Sequence, residues 1–246
     1  MLIRAENGVN LLIDGGEDKD ILLSYLLDRN VKRLNYVLIT HFDSDHYAGI
    51  LNLFGKIKIK KILISPQVNK TAEFEEFLKN AEKQKIQIVV VKAGDVISID
   101  KNTKLEILWP NIKKSVNMNL NDNSIVSKIT YKWINILSTG DISTTVDNSL
   151  IEDCSKKILN TDILKIAHHG SNTSTSEAFI KIANPKIALI GVGKDNKFGH
   201  PKEEIIQRLE FANTIIYRTD LYGEITIKIS RNGKMKAKTH LQENSV

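Results

Sequence analysis

The run Tyr36-Val37-Leu38-Ile39 passes directly into Thr40-His41-Phe42-Asp43-Ser44-Asp45-His46, so an apolar segment ends on four metal-capable side chains within six positions. That junction limits what the chain can fold into. The apolar run reads as a strand, and the imidazoles and carboxylates after it fall on the loop closing that strand, where several can turn toward one point. First-row divalent cations accept both ligand types. Two ions suit the spacing better than one, with His41 and Asp43 facing one and Asp45 and His46 the other. A closed structural zinc site is the weaker reading, because such sites favour thiolates and the only cysteine is Cys154. The plainest alternative is a polar junction in which Asp43 or Asp45 caps a helix.

A chain of 246 residues suits one large α/β domain better than two small ones. With 41% hydrophobic and 26% charged residues the composition is that of a soluble globular protein. No apolar run approaches the roughly 18 residues of a membrane span, and no signal sequence opens the chain. The expected location is therefore cytoplasmic, and the lone cysteine argues against a disulfide framework. Lys and Arg exceed Asp and Glu by 35 − 29 = 6, with a pI near 9.2, a balance that mildly favours a polyanionic partner. The lysines of Gly55-Lys56-Ile57-Lys58-Ile59-Lys60-Lys61 read either as a phosphate-tracking edge or, preferably, as an edge strand protected by charge. Arg231-Asn232-Gly233-Lys234 reads as a hairpin turn.

Strands and helices take turns along the chain. Strands are expected at 10–13, 36–40, 62–65, 87–91, 96–99, 105–109, 125–131, 133–137, 163–167 and 187–190, near 215, and at 225–229. Helices are expected after residue 20, with Ile21, Leu22, Tyr25 and Leu26 on one face, and at 72–83, 176–183 and 202–211. Such alternation implies a layered α/β domain with functional residues on loops at strand ends. Three further segments occupy such ends. Asp141 follows Thr139-Gly140 and could bridge two ions. His168-His169 follows a strand on which adjacent side chains would point to opposite sides, leaving one for metal and the other for proton transfer. His200 lies before Pro201 and a helix, within reach of a phosphate or a metal, or is simply part of a turn.

In order and spacing these residues resemble the metallo-β-lactamase superfamily, and more narrowly the hydrolase domain of ComEC-type DNA-uptake proteins. The resemblance covers nearly the whole chain. It rests on Leu12 to Gly16, Thr40 to Gly49, Asn121 to Val126, Ser138 to Asp141, Ala167 to Ser174, Phe198 to Pro201 and Tyr217 to Asp220. It implies one domain over 1–246, a four-layer αββα sandwich, and phosphodiester hydrolysis with DNA as the substrate. Two departures stand out. Asp43 replaces the second His of the usual H-x-H-x-D-H, as in the ComEC-like branch, and favours Mn²⁺ or Mg²⁺ relative to Zn²⁺. Asn121-Asp122-Asn123 stands where the superfamily's middle His would be, and Asp122 or Asn123 could complete the first site. The chain also opens without the further N-terminal strand and the membrane segments of full-length relatives. It is therefore expected to be a free-standing soluble hydrolase or a sequence truncated at its start.

The expected mechanism is that of a two-metal site. His41, Asp43, Asp45, His46, Asp141 and His168 hold two divalent ions, Mn²⁺ or Zn²⁺ with Mg²⁺ as a further option, and an activated hydroxide attacks phosphorus. His200 is the contender for the place given to His168. Asp45 orients the hydroxide, and His169 or His200 protonates the leaving oxygen. Asn123, Lys165 and Ser171 contact phosphate, and Asp14 supports the ligand loop from behind. A hydrolase of a small ester, lactone or β-lactam, and a non-catalytic nucleic-acid-binding module, are the alternatives.

Overall fold

The computed structural model describes residues 1–67 and 71–241. Two compact units follow one another, Met1–Val126 and Ser127–Val246.

In the first unit, β1 (Leu2–Arg4), β2 (Asn10–Ile13), β3 (Arg33–Leu38), β4 (Lys58–Ile64) and β5 (Gln87–Val90) lie side by side in chain order. β1 is antiparallel to β2, and every later pair is parallel. Parallel neighbours need crossovers, supplied by α1 (Lys19–Asp28), α2 (Ser44–Leu51) and α3 (Ala72–Lys83). Register lines up Leu2, Leu12, Val37, Ile62 and Ile88 across the sheet. This apolar row packs with Leu26 of α1, Ile50 of α2 and Phe77 of α3 into one core, each buried side chain contributing about 1.5–3 kcal/mol. Ile21, placed on the inner face of α1 by its spacing, is 67% exposed, while Leu22 and Leu26 carry that face. β6 (Val96–Ser98) and β7 (Thr103–Trp109) form an antiparallel pair. After them come α4 (Ile112–Ser115) and a 3-10 turn at Asn121–Asn123.

β4 is an interior strand, between β3 and β5. The expected edge strand is thus an interior one, although β5 pairs only with Lys61–Ile64, so residues 58–60 are flanked on the β3 side alone. A Lys/Ile alternation says that one face is wet, which is a property shared by edge strands and by the ends of interior ones.

In the second unit, β8 (Val126–Tyr131), β9 (Ile134–Ser138), β10 (Ile163–Lys165), β11 (Ile187–Ile190) and β12 (Ile215–Arg218) are successive neighbours. β8 and β9 are antiparallel and the rest parallel. α5 (Thr144–Asp153), α6 (Lys156–Leu159), α7 (Glu177–Ala183) and α8 (Glu203–Phe211) make the connections, α9 (Thr219–Tyr222) follows β12, and β13 (Ile225–Ile229) pairs with β14 (Met235–Thr239) around the expected hairpin turn. Lys128, buried on β8, donates from Nζ to the carbonyls of Lys157, Ile158 and Asn160, satisfying the end of α6. Trp133, in the β8–β9 turn, lies against the tip of the last hairpin, where a Cβ on Gly233 would overlap its indole nitrogen. Beside it Lys132 Nζ donates to Arg231 O at 2.9 Å. Among the described residues no helix is long and apolar enough to cross a membrane.

Candidate metal centre

Donor side chains gather at two places, one in each unit. In the first, β2 ends at Asp14, held at φ 56°. Its carboxylate accepts from the Thr40 amide at 2.8 Å, the Thr40 hydroxyl at 2.9 Å and His46 Nδ1 at 2.9 Å. A carboxylate can only accept, so the ring proton of His46 sits on Nδ1 and the Nε2 lone pair is left for a cation. The Thr40 hydroxyl, its own proton given to Asp14, accepts from His41 Nδ1 at 3.1 Å and sets the same tautomer there. His41 Nε2 is buried with no hydrogen-bond partner. It faces Asp43 Oδ2 at 3.5 Å, beyond hydrogen-bond length, and His46 Nε2 faces Asp45 Oδ2 at 3.7 Å. A buried lone pair opposite a carboxylate fits a divalent cation.

Helix α2 carries Asp45 and His46 in its first turn. Asp43 occupies the capping position without a side-chain capping bond, so its carboxylate stays available to His41. The helix is docked by glycines. Gly15 N donates to His46 O at 2.6 Å and Gly49 N to Gly16 O at 2.9 Å. A Cβ on Gly15 would come within 2.7 Å of Ile50, and one on Gly49 would collide with Gly15 O.

In the second unit Asp141 follows β9 and is buried. His168 and His169 do not sit on a strand. They occupy the 3-10 turn Ala167–Gly170 at φ 50° and 54°, a left-handed conformation costing about 1–2 kcal/mol per residue. The turn presents His169, not His168, to Asp141: His169 Nε2 lies 3.6 Å from Asp141 Oδ2, while Nδ1 is held by Gly191 O at 2.5 Å. His168 was the expected ligand and His169 the expected proton donor; with both on a 3-10 turn and not a strand, it is His169 Nε2 that lies near the Asp141 carboxylate. His168 packs edge-on to His200 with ring centroids 6.1 Å apart, and Phe198 stacks on His200. Burial first, then the nearby His168, Lys202 and His169, push the His200 pKa below its ordinary value, with Asp141 opposing.

Asn123, expected to contact phosphate, is engaged within its own loop through its amide nitrogen. Its buried side-chain amide donates to the carbonyls of Ser115, Met118 and Asn119 at 3.0–3.2 Å, pinning its own loop. The Asp122 carboxylate likewise accepts from Asn119. Ser171 is buried with its hydroxyl 3.0 Å from Thr173 Oγ1, and Lys165 ends β10 half-buried. Three positioning groups escaped the sequence reading. The Thr40 hydroxyl and Gly191 carbonyl orient imidazoles, and Thr219 Oγ1 accepts from Val192 N and donates to Val192 O, both at 2.7 Å, next to Gly191. Thr40 lay within the motif; the Gly191-Val192-Gly193 run was the signal for the other two.

Residues 1–194 match the model of the metallo-β-lactamase superfamily, and the chain belongs to that superfamily. Its fold is that of the family, and its His and Asp side chains form the donor set of a metal-dependent hydrolase. It is 30% identical over 211 residues to ComE operon protein 3 of Bacillus subtilis (strain 168), across 83% of this chain and 26% of that one. It is 29% identical over 203 residues to competence protein ComA of Neisseria gonorrhoeae, across 82% and 26%. The chain thus spans about a quarter of the length of these relatives. The solved metallo-β-lactamase fold protein YhfI from Bacillus subtilis superposes with a TM-score of 0.57, covering 95% of this chain and 89% of that one at 15% identity, a likeness of fold.

Proposed function

We propose that the chain is a metal-dependent phosphodiesterase that cleaves DNA. In this reading Asp45 and His46 offer donors to one divalent ion and His41 with Asp43 to a second, while Asp141 and His169 are the donor pair of the other unit. The observation that carries it is the carboxylate of Asp43 set against the buried Nε2 of His41, where an oxygen ligand favours hard ions such as Mn²⁺ or Mg²⁺. The two competence-protein relatives and the excess of 6 positive charges support a nucleic-acid substrate.

Ions at these positions would supply Lewis acidity, making water a nucleophile near neutral pH and offsetting charge that develops on phosphoryl oxygens. The chain's own groups then have defined tasks. Asp14, Thr40 and Gly191 hold imidazole lone pairs in place. Asp45, in the first turn of α2 and 45% exposed at its side chain, orients the attacking water. Lys165 and Ser171 contact the phosphate. His200, its pKa held below the ordinary value by burial first and then by His168, Lys202 and His169, gives the leaving oxygen a hydrogen bond. His168 stands beside it.

Incubation with Mn²⁺ and single-stranded DNA, then with a chromogenic lactam, tests the proposal. DNA cleavage lost in Asp45→Ala is the expected result. Turnover of the lactam alone would replace it with carbonyl hydrolysis, and salt-sensitive DNA binding without turnover would leave a binding module.

A further inference from the structure

The stretch of β4 without a β5 neighbour is only residues 58–60, and the lysines gathered around it need more explanation than so short an edge gives. An interior parallel strand is ordinarily apolar on both faces, yet β4 opens with exposed Lys58 and Lys60. With Lys56 before the strand and Lys85 after α3, they line a groove of about 410 Å³ in which no lining residue is acidic. Lys56 is tied to Asn52 Oδ1, whereas the ammonium groups of Lys58, Lys60 and Lys85 make no hydrogen bond or ion pair among the described residues. Four ammonium groups around one groove repel each other, and a polyanion relieves that repulsion. Lys58 and Lys60 lie about 6.6 Å apart along the strand. Each strand of duplex DNA carries one phosphate per about 3.4 Å of helix axis, so a row of lysines at this spacing can follow a row of phosphates. A small anion would instead need donors converging on one point.

We infer that this groove is a docking surface for the phosphate backbone of a nucleic-acid strand, an inference that rests on the DNA-cleaving reading. Lys58 pairs with Arg33 at the start of β3. The metal-ligand loop follows the other end of β3, six residues and about 20 Å away. The groove therefore serves affinity and leaves bond breaking to the donor side chains.

Fluorescence polarisation of a labelled single-stranded oligonucleotide in EDTA isolates docking from cleavage. The double variant Lys58→Gln/Lys60→Gln is expected to flatten the slope of log K against log salt by about 1.4, and in Mn²⁺ to raise KM several-fold at unchanged kcat. Lys236→Gln/Lys238→Gln, on the exposed side of β14, removes the same charge and should leave both unchanged. Binding unaffected by the first pair, or weakened equally by the second, overturns the inference. Docking lost as expected in a protein that never cleaves DNA upholds the groove and sinks the nuclease reading alone. Attachment to anionic lipid vesicles that needs Lys58 and Lys60, when oligonucleotide binding does not, overturns it in favour of a membrane surface.

Discussion

The Nδ1 proton of His46 goes to Asp14, that of His41 to Thr40 and that of His169 to Gly191. Each ring therefore reaches its site with Nε2 already aimed, and losing the hidden partner should cost metal affinity even though no ligand is removed. Asp14→Ala is expected to weaken binding of Mn²⁺ about 10- to 100-fold, measured by titration calorimetry; unchanged affinity would show that packing alone orients His46. His200 gives a pH dependence of opposite sign to an ion-paired histidine. Its folded pKa lies below the ordinary 6.5, so as pH falls through 6.5 the unfolded chain takes up a proton that the folded chain resists, and stability drops. In EDTA the Tm of His200→Gln should fall less steeply than that of the parent below pH 6.5. The donor cluster from His41 to His46 was legible because its residues lie within six positions of the chain, where spacing alone puts them together. The choice between His168 and His169 was not, since it depends on two positive φ angles that the side chains do not announce. The loop bonds of Asn123 were hidden for a related reason: an amide at a ligand-like position looks the same whether it meets a phosphate or three carbonyls.

Helix α2 holds its donors in place only because two glycines let it approach the loop after β2. Gly49→Ala should push the helix off Gly15, destabilise the protein by about 1–3 kcal/mol and weaken metal binding together with it, read by urea unfolding and by metal titration of the same variant. A loss of stability with metal affinity intact would show that Asp45 and His46 do not depend on that docking. Other elements were read unevenly. α3 was visible as Phe74, Phe77, Leu78 and Ala81 at helical spacing. α5 was not, because Thr144-Thr145-Val146-Asp147-Asn148-Ser149 is poor in helix formers and is held instead by buried Val146 and Leu150 and by Ser143 at its start. β4 was found but misplaced in the sheet, since strand order follows from the crossovers and leaves no mark on the strand's own alternation.

For the whole chain, the family was readable because its signature residues fall at loops after strands, and the fold that carries them is shared even where identity with a solved relative is 15%. Which substrate those loops serve is not encoded in that order. A ligand that binds only the folded state adds to its stability. Mn²⁺ at a hundredfold excess over its Kd should therefore raise unfolding free energy by about 2.7 kcal/mol, seen as a Tm rise that EDTA reverses and that is missing in Asp45→Ala. A Tm insensitive to metal would mean that the donor side chains are not a binding site.

The contact of Lys132 and Trp133 with the last hairpin joins segments 99 residues apart. Closing so long a loop adds little entropy beyond that of a shorter one, so its timing is set by supply. On a growing chain β8 and β9 are made long before Gly233 exists, and the indole waits for its partner until the hairpin of β13 and β14 has been made. This clasp shuts only after the strands that carry Trp133 are complete.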